Sequence, residues 1–131
     1  MLIWIAVSTL SAFAGPVEDA TAPLTTWLSA AEARDVDGLD DAFFPEAVQI
    51  VRMGDKTFPI TLGAYKDMMK AGKVGGAPMT LTITAVAVDG DVASVSARRE
   101  SDALVFHDAV SLLRGDDGWR IVGASVVAES R

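Results

Sequence analysis

Residues Val105–Val122 read VFHDAVSLLRGDDGWRIV, and two features of this stretch decide the fold. The first is alternation. Leu104, Phe106, Val110 and Leu112 fall on one side of an extended chain. Val105, His107, Ala109, Ser111 and Leu113 fall on the other, because successive side chains of a strand point to opposite faces. The second is the run Gly115-Asp116-Asp117-Gly118, a turn after which Trp119 to Val122 resume an extended pattern. Together they predict an antiparallel hairpin with one apolar face. Asp108 lies in the middle of that apolar row, while its neighbour His107, the single histidine of the chain, lies on the opposite face. Adjacent residues of a regular strand cannot form a hydrogen-bonded dyad, so Asp108 alone is the candidate site residue.

An aspartate in an apolar row is costly unless it is paired or protonated. Two readings follow. In one, Asp108 lines a pocket and burial raises its pKa into a range suited to acid–base work. In the other, it is structural and accepts hydrogen bonds from Arg98, Arg99 or a backbone amide. Alternation sends Arg98 and Glu100 to one face and Arg99 to the other. One arginine therefore faces inward, where it can pair with Asp108 or meet an anionic ligand.

Working outward from the hairpin, MTLTITAVAV (residues 79–88), the Asp89-Gly90 turn and VASVSARRES (residues 92–101) add two more strands. With Ala103 to Arg114 and WRIVGASVVA (residues 119–128), they make a meander of four long antiparallel strands. Upstream, Thr21 and Pro23 suit the start of a helix whose apolar stripe is Leu24, Trp27, Leu28 and Ala31. A short helix is expected from Gly38 to Phe44, capped by Asp37 and stopped by Pro45. A strand follows over Ala47 to Met53, then a Gly54-Asp55 turn. A third helix is expected from a Thr61 cap to Lys70, ending in a loop with Gly72, Gly75 and Gly76. This order argues for an α+β fold: a cone-shaped, curved antiparallel sheet with three N-terminal helices packed on its concave face. Such a cone leaves a pocket at its mouth.

The chain has 131 residues and half are hydrophobic, enough for one domain with its own core. The net charge is −7 and the eleven Lys and Arg form no basic block, so no nucleic-acid surface is expected. The chain has no cysteine, which excludes disulfides, thiolate catalysis and cysteine metal sites. With one histidine, no zinc site is expected either, and no cofactor is implied. Asp35, Asp37, Asp40 and Asp41 read as helix-capping and solubilising charges; their spacing matches no calcium loop. The first 14 residues are apolar and uncharged, and Ala12-Phe13-Ala14 fits a small-x-small cleavage site. They read as a signal peptide, leaving residues 15–131 as a single secreted or periplasmic domain. If they are instead part of the fold, the domain is cytoplasmic. The run is too short for a stable membrane span.

Two stretches carry a family resemblance: ARDVDGLDDAFFPEAVQIV (residues 33–51) and HDAVSLLRGDDGWRIVGA (residues 107–124). They resemble the nuclear transport factor 2-like superfamily, over about Ala20 to Ala128. Within its SnoaL-like and lumazine-binding branches, the Asp-x-x-x-Leu-Leu-Arg and Gly-Trp-Arg-Ile-Val runs are most similar to the latter. The resemblance implies a helix-closed cone and, often, a homodimer through the outer sheet face. Thr80, Thr82, Thr84, Val86 and Val88 form one side of their strand and are the expected dimer face. The superfamily contains isomerases, dehydratases, cyclases and non-catalytic domains, so fold does not fix function.

The aromatic residues Trp27, Phe44, Tyr65, Phe106 and Trp119, with Arg99 and Asp108, are the expected pocket lining, each having a plain core role as its alternative. Met68 and Met69 suit either core or pocket mouth. Three functions remain open. The leading one is a non-catalytic domain that binds a small molecule in the cone, since no nucleophile–base pair, metal set or phosphate loop is evident. The second is a cofactor-independent lyase or isomerase with Asp108 as acid or base and Tyr65 or an arginine as oxyanion donor. The third is an interaction module working through its sheet face.

Overall fold

A computed structural model describes the backbone of Leu2–Ile5 and all of residues 15–131. Of the expected signal peptide, Leu2–Ile5 form an edge strand, β1, pairing antiparallel with residues Val86 to Asp89. The rest of it, with the Ala12-Phe13-Ala14 cleavage site, lies outside the described residues.

Helix α1 (Pro16–Ala33) begins five residues before the expected Thr21. Gly15 takes φ 79° at its N-cap, Pro16 opens the first turn, and Glu18 and Asp19 complement the helix dipole there. Thr21 therefore caps nothing; its hydroxyl donates back to the carbonyls of Val17 and Glu18. Val17, Ala20, Leu24, Trp27 and Ala31 form the buried stripe.

The expected helix over Gly38 to Phe44 is absent. A 3-10 turn spans Asp37–Asp41, and strand β2 (Phe43–Met53) starts before Pro45. Phe43 is captured by the sheet: it pairs with Ile121, whose N–H donates to the Ala42 carbonyl at 2.8 Å. Pro45 falls in the gap where pairing breaks between Phe43 and Val48, so it forfeits no ladder bond. Two helices therefore stand where three were expected. Strand β3 (Lys56–Thr61) was not anticipated; it is an edge strand, which is where Pro59 is tolerated. Helix α2 (Leu62–Lys70) follows, and the Thr61 hydroxyl accepts the Ala64 N–H at 3.1 Å.

The meander forms as expected: β4 (Thr80–Asp89), β5 (Val92–Glu100), β6 (Leu104–Gly115) and β7 (Gly118–Ser130). The sheet order is β1-β4-β5-β6-β7-β2-β3. The sheet is mixed, not purely antiparallel, because β2 runs parallel to β7. Helical and loop chain separates β2 and β3 from the meander, so nothing forces the returning strand to lie antiparallel to β2.

Two bulges set which side chains face the helices. In β4, Ile83 pairs with Ala97 and Ala85 with Ser96, leaving Thr84 as the extra residue. In β7, Val122 is extra between Ile121 and Gly123. Each bulge flips the alternation. The expected outer face of β4 is thereby corrected. Val86 and Val88 turn inward and are buried, and Ala85 and Ala87 take the outer face with Thr80 and Thr82. The inner row of Val86, Val95, Val110, Leu112 and Ile121 is almost fully buried, as are Leu24 and Trp27 of α1.

This assignment predicts opposite outcomes for two deletions. Removing Thr84 restores regular alternation with Val86 and Val88 still inward, so the protein keeps a cooperative thermal unfolding transition. Removing Ser96, in a strand with no bulge of its own, turns either Val95 or the Ala97–Arg99 segment to the wrong face. That variant is expected to lose cooperative unfolding in a circular dichroism melt.

Candidate ligand cavity

Register brings the charged centre of the site together. Ala97 pairs directly with Asp108, and Arg99 with Phe106, so Arg99 and Asp108 are diagonal neighbours on the inner face. The Arg99 Nε donates to Asp108 Oδ2 at 2.5 Å, and Nη2 donates to Oδ1 at 2.9 Å. The Asp108 side chain is 0% exposed and that of Arg99 is 8% exposed. The guanidinium also meets two rings: its carbon lies 4.2 Å from the Trp27 ring centre and 4.4 Å from that of Phe106. A desolvated cation over an aromatic ring gains about 2 kcal/mol. The opposite faces separate as alternation predicts. Arg98 pairs with Glu100 at 2.6 Å, and His107 lies 3.7 Å from Glu129, both at the surface.

Trp27 links this pair to α2. Its ring meets Phe43 edge-on at 5.3 Å, and its Nε1 donates to the Tyr65 hydroxyl oxygen at 3.0 Å. Burial pushes the Tyr65 phenol above its ordinary value of 10.0; the Trp27 hydrogen bond and the Arg99 charge oppose this, and the Asp108 charge adds to it. Tyr65 is therefore a neutral phenol whose own O–H donates to no partner among the described residues.

Beside these groups lies a partly open cavity of about 290 Å³. Its walls come from β2, β3, β6, β7 and α2, including Val51, Ile60, Phe106, Val126 and Met68, and its floor carries Arg99, Tyr65 and Gln49. The segment from Lys73 to Met79 forms the roof. That roof is strapped to the end of α1. Arg34, held at φ 52°, donates to the carbonyls of Gly72, Val74 and Gly75. The Gly76 N–H donates to Ala31, and the Met79 N–H to Glu32. Gly75 needs to be glycine twice over: its φ is +78°, and a Cβ would sit 2.4 Å from the Ala31 oxygen.

Of the expected lining, Tyr65, Arg99 and Phe106 reach the cavity. Trp27 and Asp108 stand behind Arg99 as its supports. The small exposure of Asp108 belongs to its main chain, which borders a shallow depression on the outer sheet face. Phe44 and Trp119 lie elsewhere. Phe44 points outward and is 48% exposed, because Phe43 takes the inward phase of β2. Trp119 is buried against Arg114 at the start of β7, roughly 20 Å along the strand from Val126, the residue of β7 on the cavity wall. Sequence reasoning missed Gln49, which is buried at 6%. Its signal was available: like Asp108, it is a polar residue in an alternating apolar row, Ala47, Val51 and Met53. Met68 lines the cavity while Met69 is core. The acidic run does local work. Asp35 accepts the Gly38 N–H, and Asp40 pairs with Lys66. No helix among the described residues is long and apolar enough to cross a membrane.

The chain's relatives agree with this architecture. A family model described as "Putative lumazine-binding" matches residues 16–125. A nuclear transport factor 2-like protein of unknown function from Silicibacter pomeroyi is 24% identical, with a TM-score of 0.71 over 85% of this chain and 92% of that one. Another from Methylobacillus flagellatus is 22% identical, with a TM-score of 0.76 over 94% and 99%. The S. rosetta CaMKII hub is 18% identical, with a TM-score of 0.69 over 88% and 98%. Among curated proteins, none matches.

Two tests address the charged centre. Asp108→Ala strands a buried guanidinium and is expected to cost about 3–5 kcal/mol. Replacing both partners, Arg99→Met with Asp108→Leu, is expected to recover most of that loss. Chemical denaturation of the two variants measures it. The second test uses the fact that Tyr65 is the only tyrosine, so phenolate absorbance reads it alone. A raised folded pKa contributes stability below pH 10.0, the unfolded value, and that stability is lost as pH rises through the folded pKa. Tyr65 is expected to stay un-ionised past pH 10.0 in folded protein and to ionise together with alkaline unfolding.

Proposed function

The chain belongs to the nuclear transport factor 2-like family described as "Putative lumazine-binding", and from that premise we propose that it binds a small molecule in the interior cavity without catalysing its conversion. The observation that carries this reading is the state of Asp108. Both carboxylate oxygens are bonded to Arg99 and the side chain has no exposure. A general base must reach the proton it abstracts, and this carboxylate borders the cavity only through Arg99. That geometry counts against Asp108 as the acid–base group of a lyase or isomerase. What remains is a floor of hydrogen-bond donors beneath apolar walls, the usual make-up of a binding pocket.

The outer sheet face supports a second element of the proposal, a homodimer. After the bulges are taken into account, that face carries small residues, Ser94, Ser96, Ala109 and Ser125, beside the exposed Ile50. A second copy of the same sheet can approach such a surface closely. The uncharged, apolar segment over residues 1–14 supports export as the third element, with cleavage after Ala14 removing β1 and leaving β4 as the sheet edge.

Native mass spectrometry of the full chain, produced in an exporting host, tests all three together. A dimer starting at Gly15 with a retained small molecule is expected. Ile60→Trp, which fills the cavity, is expected to remove the extra mass, and Ala109→Glu to yield monomers. A retained molecule that survives Ile60→Trp would place binding outside the cavity and defeat the reading.

A further inference from the structure

We propose that the rim of the cavity is a docking surface for an anionic lipid bilayer, with Met53 and Phe58 as apolar anchors and Lys56 and Lys73 as the charges beside them. The rim lies apart from the cavity floor, and its role does not depend on what the cavity holds.

Charge points to this end of the molecule. The chain has a net charge of −7, yet residues 52–73 carry five Lys and Arg against Asp55 and Asp67, a net +3. These cations are also the uncommitted ones. Arg52, Lys56, Lys70 and Lys73 are exposed and have no hydrogen bond or ion pair among the described residues. Each of the other seven Lys and Arg donates to a carboxylate or a backbone carbonyl.

Apolar exposure coincides with that charge. Met53 is 49% exposed and Phe58 37%. Both line the cavity together with Lys73, so they stand at its mouth. Met53 pairs with Lys56 across the β2–β3 turn, which puts the lysine beside the methionine on one side of the hairpin. Strand β3 is the last of the sheet, so this hairpin stands at an edge. A second exposed apolar pair, Val92 and Leu113, has the opposite surroundings. These two residues pair with each other near the β6–β7 turn, beside Asp91 and close to Asp116 and Asp117.

An aromatic ring and a flexible thioether next to unpaired cations suit a bilayer interface. The apolar groups enter the headgroup boundary while the cations meet anionic headgroups, and binding strength follows both contributions. Lysine is a compact point charge that needs no matched geometry, which favours a diffuse anionic surface over a single carboxylate. Two acids also stand at the rim, Glu32 and Asp55. Glu32 already accepts the Met79 N–H, and the cations remain in excess.

Co-sedimentation of the full chain with vesicles tests the proposal. Vesicles of phosphatidylglycerol and phosphatidylcholine in equal parts are expected to bind the protein, and vesicles of phosphatidylcholine alone to bind it at least about ten-fold more weakly. Binding is expected to fall steeply at about 1 M salt, where the Debye length is about 3 Å. Lys56→Gln and Lys73→Gln are each expected to weaken binding about five-fold. Met53→Ser with Phe58→Ser is expected to weaken it at least as much, and Val92→Ser with Leu113→Ser to leave it unchanged. All four variants sit at exposed positions and are expected to keep the parent's thermal melt. Binding through the apolar residues 1–14 would survive every rim variant and overturns the proposal, as does equal binding to uncharged vesicles or none to the anionic ones. If polyglutamate binds the rim and vesicles do not, the partner is an acidic polypeptide and the lipid assignment falls.

Discussion

Arg99 and Asp108 form the ion pair around which the inner face is organised, and its energetics explain the residues that surround it. Removing two charges from water costs several kcal/mol per ion, and their attraction offsets this only when the geometry is good and the remaining donors and acceptors are satisfied. Here Asp108 has both oxygens bonded. Trp27 and Phe106 replace part of the guanidinium's lost hydration with ring contacts. Trp27 in turn needs an acceptor for its own N–H and finds it in Tyr65. One buried charge therefore recruits residues from α1, α2, β5 and β6 into a single network. In such a network each member holds the next in one orientation, which is what a binding floor requires.

The network exists only because the sheet is in the correct phase. Strand alternation is unforgiving: a slip of one residue moves every following side chain to the other face. The two bulges at Thr84 and Val122 are therefore not local irregularities. They switch the apolar row of β4 and β7 from one phase to the other partway along. This bends the sheet and still lets Ile83 and Val86, or Ile121 and Ala124, face the same core. Curvature opens the space that becomes the cavity, and the strapped segment from Lys73 to Met79 covers it. The same phase change leaves small residues on the outer face.

Where physics was local, the sequence was legible. The β6–β7 hairpin, the separation of Arg98 from Arg99, the Thr61 cap and the inward aspartate all follow from spacing within a few residues. The structural reading of Asp108, as a carboxylate satisfied by an arginine, was one of two that burial alone permits. What was not legible depended on distant partners. Phe43 leaves the helical pattern because β7 offers it a pairing edge. Phe44 looked like lining because its one-residue phase depends on where β2 begins. The face of β4 was misassigned because nothing in TLTITAVAV marks Thr84 as an extra residue; the bulge is visible only against β5. Gln49 could have been found by the argument that found Asp108, had Ala47 to Met53 been read as a row.

A buried ion pair is often no more stabilising than well-packed apolar side chains of similar volume. If Arg99 and Asp108 served the core alone, hydrophobic replacements would do as well. The pair differs from such replacements in one respect: Arg99 lines the cavity and brings donors to it with no net charge behind them. Asp108 makes that possible. It neutralises Arg99, fixes its guanidinium through two hydrogen bonds and stays out of the cavity lining. The carboxylate's role is then to turn a cation into a neutral, oriented donor, and the aspartate in the apolar row is accounted for by the hydrogen bonds it accepts.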